Sequence, residues 1–435
     1  MMEDKRVKSI VKWVQVLTIM AVTLMIVMPN RVQAEETVPV LADAAIVVDA
    51  ETGQILYGQN DEAVLGIASM SKMMSEYLLF EAIEEGVVSW DDEYEVTDYS
   101  HRISQDLRLS NVPLRRDGSY TMKELYEAMA IYSANAATIG IAETIAGTEK
   151  EFVQMMNDKA KEMGIEDAHF VNSTGLNNSF LLGMHPEGTG EDEENTMSAR
   201  SVAVLTKALL DDYPAILDTA KIPELMFREG TPDQIRMVNW NTMLPGMDHE
   251  YEGMDGLKTG TTDFAGHSFA GTAKRDGARL IAVVMKAVDA KGEGSYQARF
   301  DATRALLDHG FEFQETEIMR AGQQFMGQES LPVAKGEKEQ VAIAVNEPVR
   351  LMVPSAQQEA YRTELELTEG APIEAAVEEG QLVGKVRVLD SEGNEVEYLK
   401  DEKPAADVAA TETVERANWF ALSMKGAVDF IKGLF

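Results

Sequence analysis

Strand-like segments lie on both sides of a long helical region, and this arrangement limits the folds that the chain can adopt. Short β-prone runs at Ala44–Ala50 and Gln54–Gly58 are separated by a glycine-containing turn. Two further runs, Ser268–Ala273 and Arg279–Val288, flank Lys274–Gly277, a strong hairpin signal. Strands that return after helices predict an α+β domain with an antiparallel sheet, not alternating βαβ units.

Helical periodicity fills the region between those strands. A helix is predicted at Ser69–Ile83, and apolar spacing over Met122–Ile145 indicates two more helices with a break near Ser133. Ser198–Leu210 has the pattern of a helix that begins with a hydroxyl cap, and Gln297–Leu307 has the period of a closing helix. We therefore expect helices packed on the sheet.

A second domain is indicated by a change in sequence pattern. Residues 315–402 alternate short β-prone runs with turn residues, as at Val349–Val353 and Val383–Val388. This pattern predicts a small all-β domain that follows a larger domain at residues 35–314. Residues 403–412, which contain Ala, Asp and Pro, are predicted to be a linker.

The last segment, residues 413–435, has the pattern of an amphipathic helix. Its apolar side chains share one face, and its polar side chains form a narrow stripe that includes Lys425, Asp429 and Lys432. Charges on the stripe make a membrane-crossing helix costly, whereas Trp419 suits a helix that lies in the plane of a membrane surface. A helix docked on its own protein is the alternative.

The first residues have the pattern of an export signal. Basic residues precede an apolar run at Val14–Met28, and Val32–Ala34 has the small-residue pattern of a cleavage site. We expect cleavage after Ala34, so that residues 1–34 are a signal peptide and the mature protein works outside the cytoplasm. A retained transmembrane anchor is the alternative, although polar residues interrupt the short apolar run.

Charge and cysteine content exclude several classes of function. The formal net charge of −35 argues against nucleic acid as a partner. Either solubility or adaptation to a saline or alkaline exterior accounts for this acidity. Without cysteine, the chain has no disulfide, thiolate metal site or cysteine nucleophile. The six histidines lack metal-ligand spacing, so we expect no metal and no cofactor.

Three short motifs occur in order along the larger domain: Ser69-Met70-Ser71-Lys72, Ser133-Ala134-Asn135 and Lys258-Thr259-Gly260. On a helix, the Ser-x-x-Lys spacing puts both side chains on one face, so Lys72 can take the proton of the Ser69 hydroxyl. A lysine is a base only when it is neutral. Lys258 at about 5 Å would lower the pKa of Lys72 through repulsion on the order of 3 kcal/mol. Ser-x-x-Lys alone is a weak signal, but the ordered set is specific.

These motifs resemble those of the low-molecular-mass penicillin-binding proteins, which are serine D-alanyl-D-alanine carboxypeptidases. Phe170–Leu176, Ser198–Arg200 and Met254–Gly260 also match, and the β-rich second domain and amphipathic tail fit that family's layout. The resemblance implies a β-lactamase/DD-peptidase-like domain in which helices flank an antiparallel sheet. It also implies removal of the terminal D-alanine from peptidoglycan pentapeptide stems, covalent inhibition by β-lactam antibiotics, and attachment to the outer leaflet of the cytoplasmic membrane.

The resemblance also assigns catalytic roles. Ser69 is implied to be the nucleophile that forms the acyl-enzyme, Lys72 its general base, and Ser133 a proton relay towards the leaving D-alanine. The backbone N–H groups of Ser69 and Thr261 are implied to form the oxyanion hole.

Besides Thr261, five positions are implied to bind the substrate. Asn135 is expected to hydrogen-bond the amide backbone of the substrate. Lys258 and Thr259 are expected to hold the terminal carboxylate, with Arg299 as a further partner, and Gly260 completes the third motif.

Two positions depart from the family's usual pattern. Gly66 stands where the family often has a proline, and Trp240 is the middle residue of Asn239-Trp240-Asn241. Neither lies in the three motifs, so we expect an active enzyme that differs from its relatives at the pocket rim. His169 and His267 lie near the motifs, but the mechanism needs no imidazole and ordinary packing is the favoured interpretation.

Three other functions stay open at this point. A β-lactamase shares the fold and the motifs, and Glu191–Asn195 contains a Glu-x-x-x-Asn pattern for activating water, although chance agreement in so acidic a loop explains it better. A D,D-endopeptidase that cuts cell-wall crosslinks would use the same residues. A silent wall-binding scaffold would be expected to lack Ser69 or Lys72, and this chain has both.

Overall fold

Two hairpins from opposite ends of the larger domain meet in one sheet in the computed structural model, which describes residues 38, 40–355, 360–368, 370–400 and 406–424. The strands of this domain are β1 (Ala42–Asp49), β2 (Ile55–Gln59), β3 (Val64–Gly66), β4 (Glu93–Glu95), β5 (Ser119–Thr121), β6 (Thr196–Ser198), β7 (Glu224–Phe227), β8 (Ile235–Val238), β9 (Met254–Thr262), β10 (Gly266–Arg275) and β11 (Ala278–Ala287). Five of them form a sheet in the order β2-β1-β11-β10-β9, with each neighbouring pair antiparallel. The predicted antiparallel sheet is confirmed, and β2 and β9 are its two edge strands within the described residues.

The described part of the larger domain contains eight helices: α1 (Lys72–Glu84), α2 (Asp98–Ser104), α3 (Met122–Tyr132), α4 (Asn135–Ala146), α5 (Glu149–Glu162), α6 (Ala199–Asp212), α7 (Ile216–Ala220) and α8 (Tyr296–Gly310). Of these, α6, α7 and α8 contact strands of the sheet. The predicted break between two helices lies at Ser133 and Ala134, between α3 and α4. Local caps explain several helix starts, because the hydroxyls of Thr121, Ser198 and Ser295 accept N–H groups of the first turns of α3, α6 and α8.

Helix α1 lies between two apolar cores. Its residues Met73, Met74 and Leu78 pack in a cluster with β1, β10, β11 and α6. Leu79 and Ala82 belong to a second cluster, built mainly from α2, α3 and α4. The first motif is therefore held at the boundary between a sheet-based half and a helical half of the domain.

The second domain is all-β, as predicted. Its strands are β12 (Phe313–Met319), β13 (Ser330–Ala334), β14 (Gln340–Val345), β15 (Val349–Pro354), β16 (Arg362–Leu367), β17 (Ile373–Glu374), β18 (Leu382–Leu389) and β19 (Asp407–Ala410). Six strands form a sheet in the order β16-β18-β19-β14-β13-β17, and β12 pairs with β15. This domain has its own core, which includes Val341, Val377 and Val408.

The predicted boundaries at the end of this domain are wrong. Part of the proposed linker, Asp407–Ala410, forms β19 between β14 and β18, because its short apolar side chains are buried in the domain core. The proposed helix at 413–435 also begins too early: Val414 is 1% exposed and bridges to Val377, and helix is found at residues 419–424. Residues 425–435 and the predicted signal peptide, 1–34, lie outside the described residues. No helix within the described ranges is long and apolar enough to cross a membrane.

A buried glutamine joins the two domains. Gln54, which is 3% exposed, donates to the Met352 carbonyl at 2.7 Å and accepts the Met352 N–H at 2.9 Å. Arg200 also forms ion pairs with Asp61 in the larger domain and Glu397 in the second domain. The second domain is thus fixed to the back of the β1–β2 hairpin.

Candidate active site

Ser69 lies in a single 3-10 turn, Ala68–Ser71, that leads into α1. Ala68 has φ 45°, a left-handed conformation that is unfavourable for a residue with a side chain. The Ser71 hydroxyl stabilises this turn by donating to the Ala68 carbonyl oxygen at 2.7 Å. Gly175 packs on the same oxygen so closely that a Cβ there would lie 1.8 Å away. The surroundings therefore hold Ser69 in one position.

Lys72 lies one helical turn after Ser69, and its side chain is 0% exposed. Its Nζ is 3.1 Å from Ser69 Oγ, 2.9 Å from Asn135 Oδ1 and 2.7 Å from the Thr174 carbonyl oxygen. A neutral amine has two N–H donors and one lone pair. It can donate to the two fixed oxygens and accept the proton of the Ser69 hydroxyl.

Burial lowers the pKa of Lys72 well below its usual value, and the positive charge of Lys258 lowers it further. The sequence indicated the effect of Lys258 but not that of burial, because burial depends on packing between distant segments. Both effects favour the neutral amine. The geometry and the electrostatics are those of a general base for the Ser69 hydroxyl.

The second motif lies where α3 ends and α4 begins. Ser133 adopts φ 58° as the C-cap of α3, and its buried Oγ has no hydrogen-bond partner among the described residues. Asn135 is oriented by two contacts, because its Nδ2 donates to the Ser110 carbonyl at 3.0 Å while its Oδ1 accepts from Lys72. The structure thus brings Asn135 to Lys72 and leaves the Ser133 hydroxyl available for another group.

The third motif lies on edge strand β9, which carries Lys258, Thr259, Gly260 and Thr261. Gly260 packs against the turn that carries the nucleophile, and a Cβ there would lie 2.5 Å from the Ile67 carbonyl oxygen. Only glycine permits this approach. It places the edge of the sheet directly beside the Ser69 turn.

Lys258 is 3% exposed, and burial lowers its pKa to about 8. The carboxylate of Glu76 raises that pKa, and the charge of Arg299 lowers it. Among the residues that the structure describes, the hydrogen bond of its Nζ is a long one, 3.4 Å, to the Thr259 carbonyl oxygen. Lys258 is therefore a buried cation near neutral pH with capacity to bind an anion.

Arg299 supplies a second buried cation at the same strand. It is 1% exposed, and its Nη1 donates to Thr261 Oγ1 at 3.0 Å. Burial lowers its pKa to about 10, and its Nε has no hydrogen-bond partner in the described part of the chain. Two buried cations near the end of β9 favour a carboxylate ligand there.

Asn195 was not recognised as a site residue from the sequence, where it appeared only as the end of a Glu-x-x-x-Asn pattern. It is fully buried, its Nδ2 donates to Ser71 Oγ at 2.9 Å, and its carbonyl oxygen accepts the Ile67 N–H at 3.1 Å. Glu191, the other end of that pattern, is exposed. No sequence signal predicts burial of an asparagine in so acidic a loop. Asn195 nevertheless supports the turn that carries the nucleophile.

Glu76 was also missed, although a sequence signal existed. It follows Lys72 by four residues, which puts both side chains on one face of α1. It is 4% exposed, and burial raises its pKa to about 7 while Lys258 lowers it. A carboxyl group on an otherwise apolar helix face could have been identified as a partner for a buried lysine.

The structure also locates the two histidines near the motifs, and Gly66, one of the two departures from the family pattern. His267 pairs with Thr261 across β10 and β9, and His169 forms a backbone bridge to Thr196. Gly66 lies on β3 against the ring of Phe264. Among the described residues, no group of three His, Cys, Asp or Glu side chains could hold a metal ion.

Comparisons with known proteins cover both domains. The family model described as D-alanyl-D-alanine carboxypeptidase matches residues 30–289, and the model for the C-terminal domain of penicillin-binding protein 5 matches residues 313–416. The D-alanyl-D-alanine carboxypeptidase DacF of Bacillus subtilis is 28% identical over 392 residues, which are 90% of this chain and 90% of that protein.

Solved structures show the same similarity. A peptidoglycan synthesis regulatory factor, PBP3, from Streptococcus pneumoniae is 35% identical with a TM-score of 0.66, covering 86% of this chain and 100% of that chain. Penicillin-binding protein D2 from Listeria monocytogenes, in its cefotaxime-bound form, is 30% identical with a TM-score of 0.51, covering 62% of this chain and 97% of that chain.

Proposed function

The chain belongs to the D-alanyl-D-alanine carboxypeptidase family of serine peptidases, and on that premise we propose that it removes the terminal D-alanine of peptidoglycan peptide stems through an acyl-enzyme on Ser69. The family and fold predicted from the sequence are confirmed. The observation that carries the proposed chemistry is the 3.1 Å contact between Ser69 Oγ and the buried amine of Lys72, whose pKa is lowered.

In the first step, Lys72 takes the hydroxyl proton of Ser69 as Oγ attacks the carbonyl carbon of the penultimate D-alanine. The backbone N–H groups of Ser69 and Thr261 stabilise the oxyanion that develops. The C–N bond then breaks, and the leaving D-alanine takes a proton through Ser133. The buried Ser133 hydroxyl, which has no hydrogen-bond partner in the described ranges, supports this role. Water then attacks the ester carbonyl carbon while Lys72 takes one of its protons. Lys72 passes this proton to Ser69 Oγ as the ester C–O bond breaks, and the shortened peptide leaves with a new carboxyl group.

Recognition of the free carboxylate is assigned to Lys258, Thr259 and Arg299. The two cations are buried, so their attraction to an anion is weakly screened by water. Asn135, fixed between Ser110 and Lys72, is placed to bond the peptide backbone of the substrate. Strand β9, with Gly260 against the nucleophile turn, presents an edge along which an extended peptide can align.

β-Lactam antibiotics are proposed to acylate the same serine. Their strained amide is attacked by Ser69 Oγ, and the ring opens to leave an ester on the enzyme. The cefotaxime-bound form of the Listeria relative supports this proposal. The exposed position of Glu191 argues against a β-lactamase. The contact between Ser69 and Lys72 argues against a silent scaffold. No observation favours a D,D-endopeptidase.

The deciding experiment is mass spectrometry of the purified protein with penicillin and, separately, with a pentapeptide stem. We expect a stable adduct on the Ser69 peptide and release of one D-alanine per stem. Rapid turnover of penicillin without a lasting adduct would identify a β-lactamase. If neither an adduct nor D-alanine release is detected, the protein is a silent scaffold.

We also propose that the enzyme acts outside the cytoplasm and is held on the outer leaflet of the cell membrane by its C-terminal segment. Its proposed substrate lies outside the cytoplasm, and the start of the sequence has the pattern of a signal peptide. Trp419, Phe420 and Met424 begin the tail with 78%, 62% and 55% exposure, which suits insertion of an apolar face into lipid.

A further inference from the structure

Four aromatic side chains form a continuous row beside the candidate active site. The ring centroids of Tyr132 and Trp240 are 6.3 Å apart, and those of Trp240 and Tyr296 are 6.1 Å apart. Tyr296 then meets the ring of His267 edge-on at 5.0 Å. Each distance lies within the range of attractive ring contacts. We call Tyr132, Trp240, Tyr296 and His267 the aromatic row.

The aromatic row joins the two halves of the domain. Tyr132 is the last residue of α3, in the helical half, and directly precedes Ser133. Tyr296 is the first residue of α8, which packs on the sheet, and its ring lies 5.0 Å from the guanidinium carbon of Arg299. The row therefore crosses the end of the site where Arg299 lies.

Trp240, the middle of the row, is firmly held. Its indole N–H donates to the Tyr132 carbonyl oxygen at 3.1 Å. Its neighbours Asn239 and Asn241 are 5% and 1% exposed and are linked by a 2.9 Å hydrogen bond. The Trp240 side of the row stays open to solvent, since Trp240 is 36% and Tyr296 50% exposed. The row is therefore a rigid barrier with one face exposed to solvent.

Resting on the proposed function, we propose that the aromatic row is a wall that limits the leaving group to a D-amino acid with a small side chain. The carboxylate of the leaving residue binds Lys258, Thr259 and Arg299, so its side chain lies between these groups and the row. The methyl group of D-alanine fits in this space without moving the aromatic row. A longer side chain that continues into a second peptide, as in a crosslink between stems, has to displace Trp240. The wall thus makes the site a carboxypeptidase and not an endopeptidase.

The test compares two substrates on the full-length enzyme. Both have the same stem and a free terminal carboxylate, but one ends in D-alanine and the other in D-lysine whose side-chain amine carries a short peptide. The measured quantity is the ratio of kcat/KM for the branched substrate to kcat/KM for the D-alanine substrate. We expect Trp240→Ala to raise this ratio at least about tenfold over wild type.

Two matched variants control for the loss of an aromatic ring. Trp240→Phe keeps a flat ring and should change the ratio by less than about threefold. Trp419→Ala removes an exposed ring from the tail and should leave the ratio unchanged. Trp240→Leu fills part of the lost volume and should also raise the ratio, which covers the case that Trp240→Ala does not fold.

Penicillin labelling of Ser69 in each variant separates the two proposals. If labelled Trp240→Ala and Trp240→Leu keep the wild-type ratio, the wall is refuted while the carboxypeptidase assignment stands. A wild-type enzyme that cleaves both substrates equally well also refutes the wall. Absence of labelling and of D-alanine release in the wild type refutes the proposed function itself.

Discussion

Glu194 accepts a hydrogen bond of 2.6 Å from the hydroxyl of Thr262, the residue that follows the proposed oxyanion-hole position on β9. The carboxylate is 8% exposed and also accepts from Asn177 Nδ2 at 3.3 Å. The Thr262 hydroxyl in turn accepts the Ala265 N–H at 2.9 Å. Glu194 therefore fastens the loop that carries Asn195 to the end of the edge strand.

Removing this link should loosen the oxyanion hole. A hydrogen bond to a charged group contributes about 1.5 to 3 kcal/mol, so Glu194→Ala should slow acylation by penicillin by about tenfold or more. The measurement is the second-order rate constant of labelling. Thr262→Val should be much less harmful in the Glu194→Ala background than in wild type, because the two residues share one contact.

Glu191→Gln is the matched control, since Glu191 is an exposed carboxylate in the same loop. It should change neither acylation nor the slow hydrolysis of the penicilloyl-enzyme. We therefore expect Glu194→Ala to slow acylation and Glu191→Gln to leave its rate unchanged. A marked slowing of deacylation in Glu191→Gln alone would instead restore the β-lactamase hypothesis.

The second prediction concerns the nucleophile and its base. Ser69→Ala should abolish penicillin labelling and D-alanine release, because the hydroxyl in contact with the amine of Lys72 is lost. Lys72→Ala should lower kcat by about 10²- to 10⁴-fold, since the hydroxyl then keeps its proton. Peptide mapping of the adduct checks both. An adduct on Ser71 or Ser133 in the wild-type enzyme contradicts the assignment.

The third prediction concerns the pH dependence of carboxylate binding. The pKa of Lys258 is about 8, raised by Glu76 and lowered by burial and Arg299. Above that pH, Lys258 loses its proton and its attraction for the terminal carboxylate. The kcat/KM for a D-Ala-D-Ala peptide should therefore fall as the pH rises through about 8.

Glu76→Gln removes the negative charge that raises the pKa of Lys258, so the alkaline fall of kcat/KM should move to lower pH. Glu85→Gln, at the exposed end of α1, should leave the profile unchanged. An alkaline fall that stays in place in Glu76→Gln shows that Glu76 does not act on Lys258.

The fourth prediction concerns the free substrate terminus. A peptide with an amidated C-terminus leaves the buried cations of Lys258 and Arg299 without their anion, at a cost of about 2 to 4 kcal/mol in transition-state binding. Its kcat/KM should fall accordingly relative to the free acid. Lys258→Ala should reduce this preference. Equal rates for both peptides would show that the free carboxylate is not recognised and would contradict the carboxypeptidase assignment.

The fifth prediction concerns the tail. A chain that ends at Asn418 keeps Val414 in the core and the Ala417 N–H bonded to the Lys335 carbonyl at 2.9 Å, so the second domain should stay folded. It should retain turnover of a soluble peptide but fail to sediment with liposomes. The longer chain should sediment, because each large apolar side chain inserted contributes about 1.5 to 3 kcal/mol.

High salt should not release the longer chain from liposomes, since Asp429 offsets Lys425 and Lys432 and the protein is strongly acidic. Release by salt alone, or equal sedimentation of the shortened chain, removes the tail as an anchor. Trp419→Ala in the longer chain should weaken sedimentation without changing turnover.

The fold class and the three motifs could be predicted from local features of the sequence. Hairpin turns, helical periodicity and hydroxyl caps are local features, and so is the Ser69-to-Lys72 spacing on a helix. These features can be predicted because each is determined by a few residues that are close in sequence. Local composition also misled, since Asp407–Ala410 looked like a linker but forms β19 in the core of the second domain.

The surroundings of those motifs depend on tertiary contacts. Burial is the main cause of the lowered pKa of Lys72, and it exists only once α1 is enclosed between two cores. Asn195 and Gly175 reach the nucleophile turn from separate loops, and Trp240 bridges Tyr132 and Tyr296. No short segment contains these partners, because burial and desolvation depend on distances between residues that are far apart in the chain.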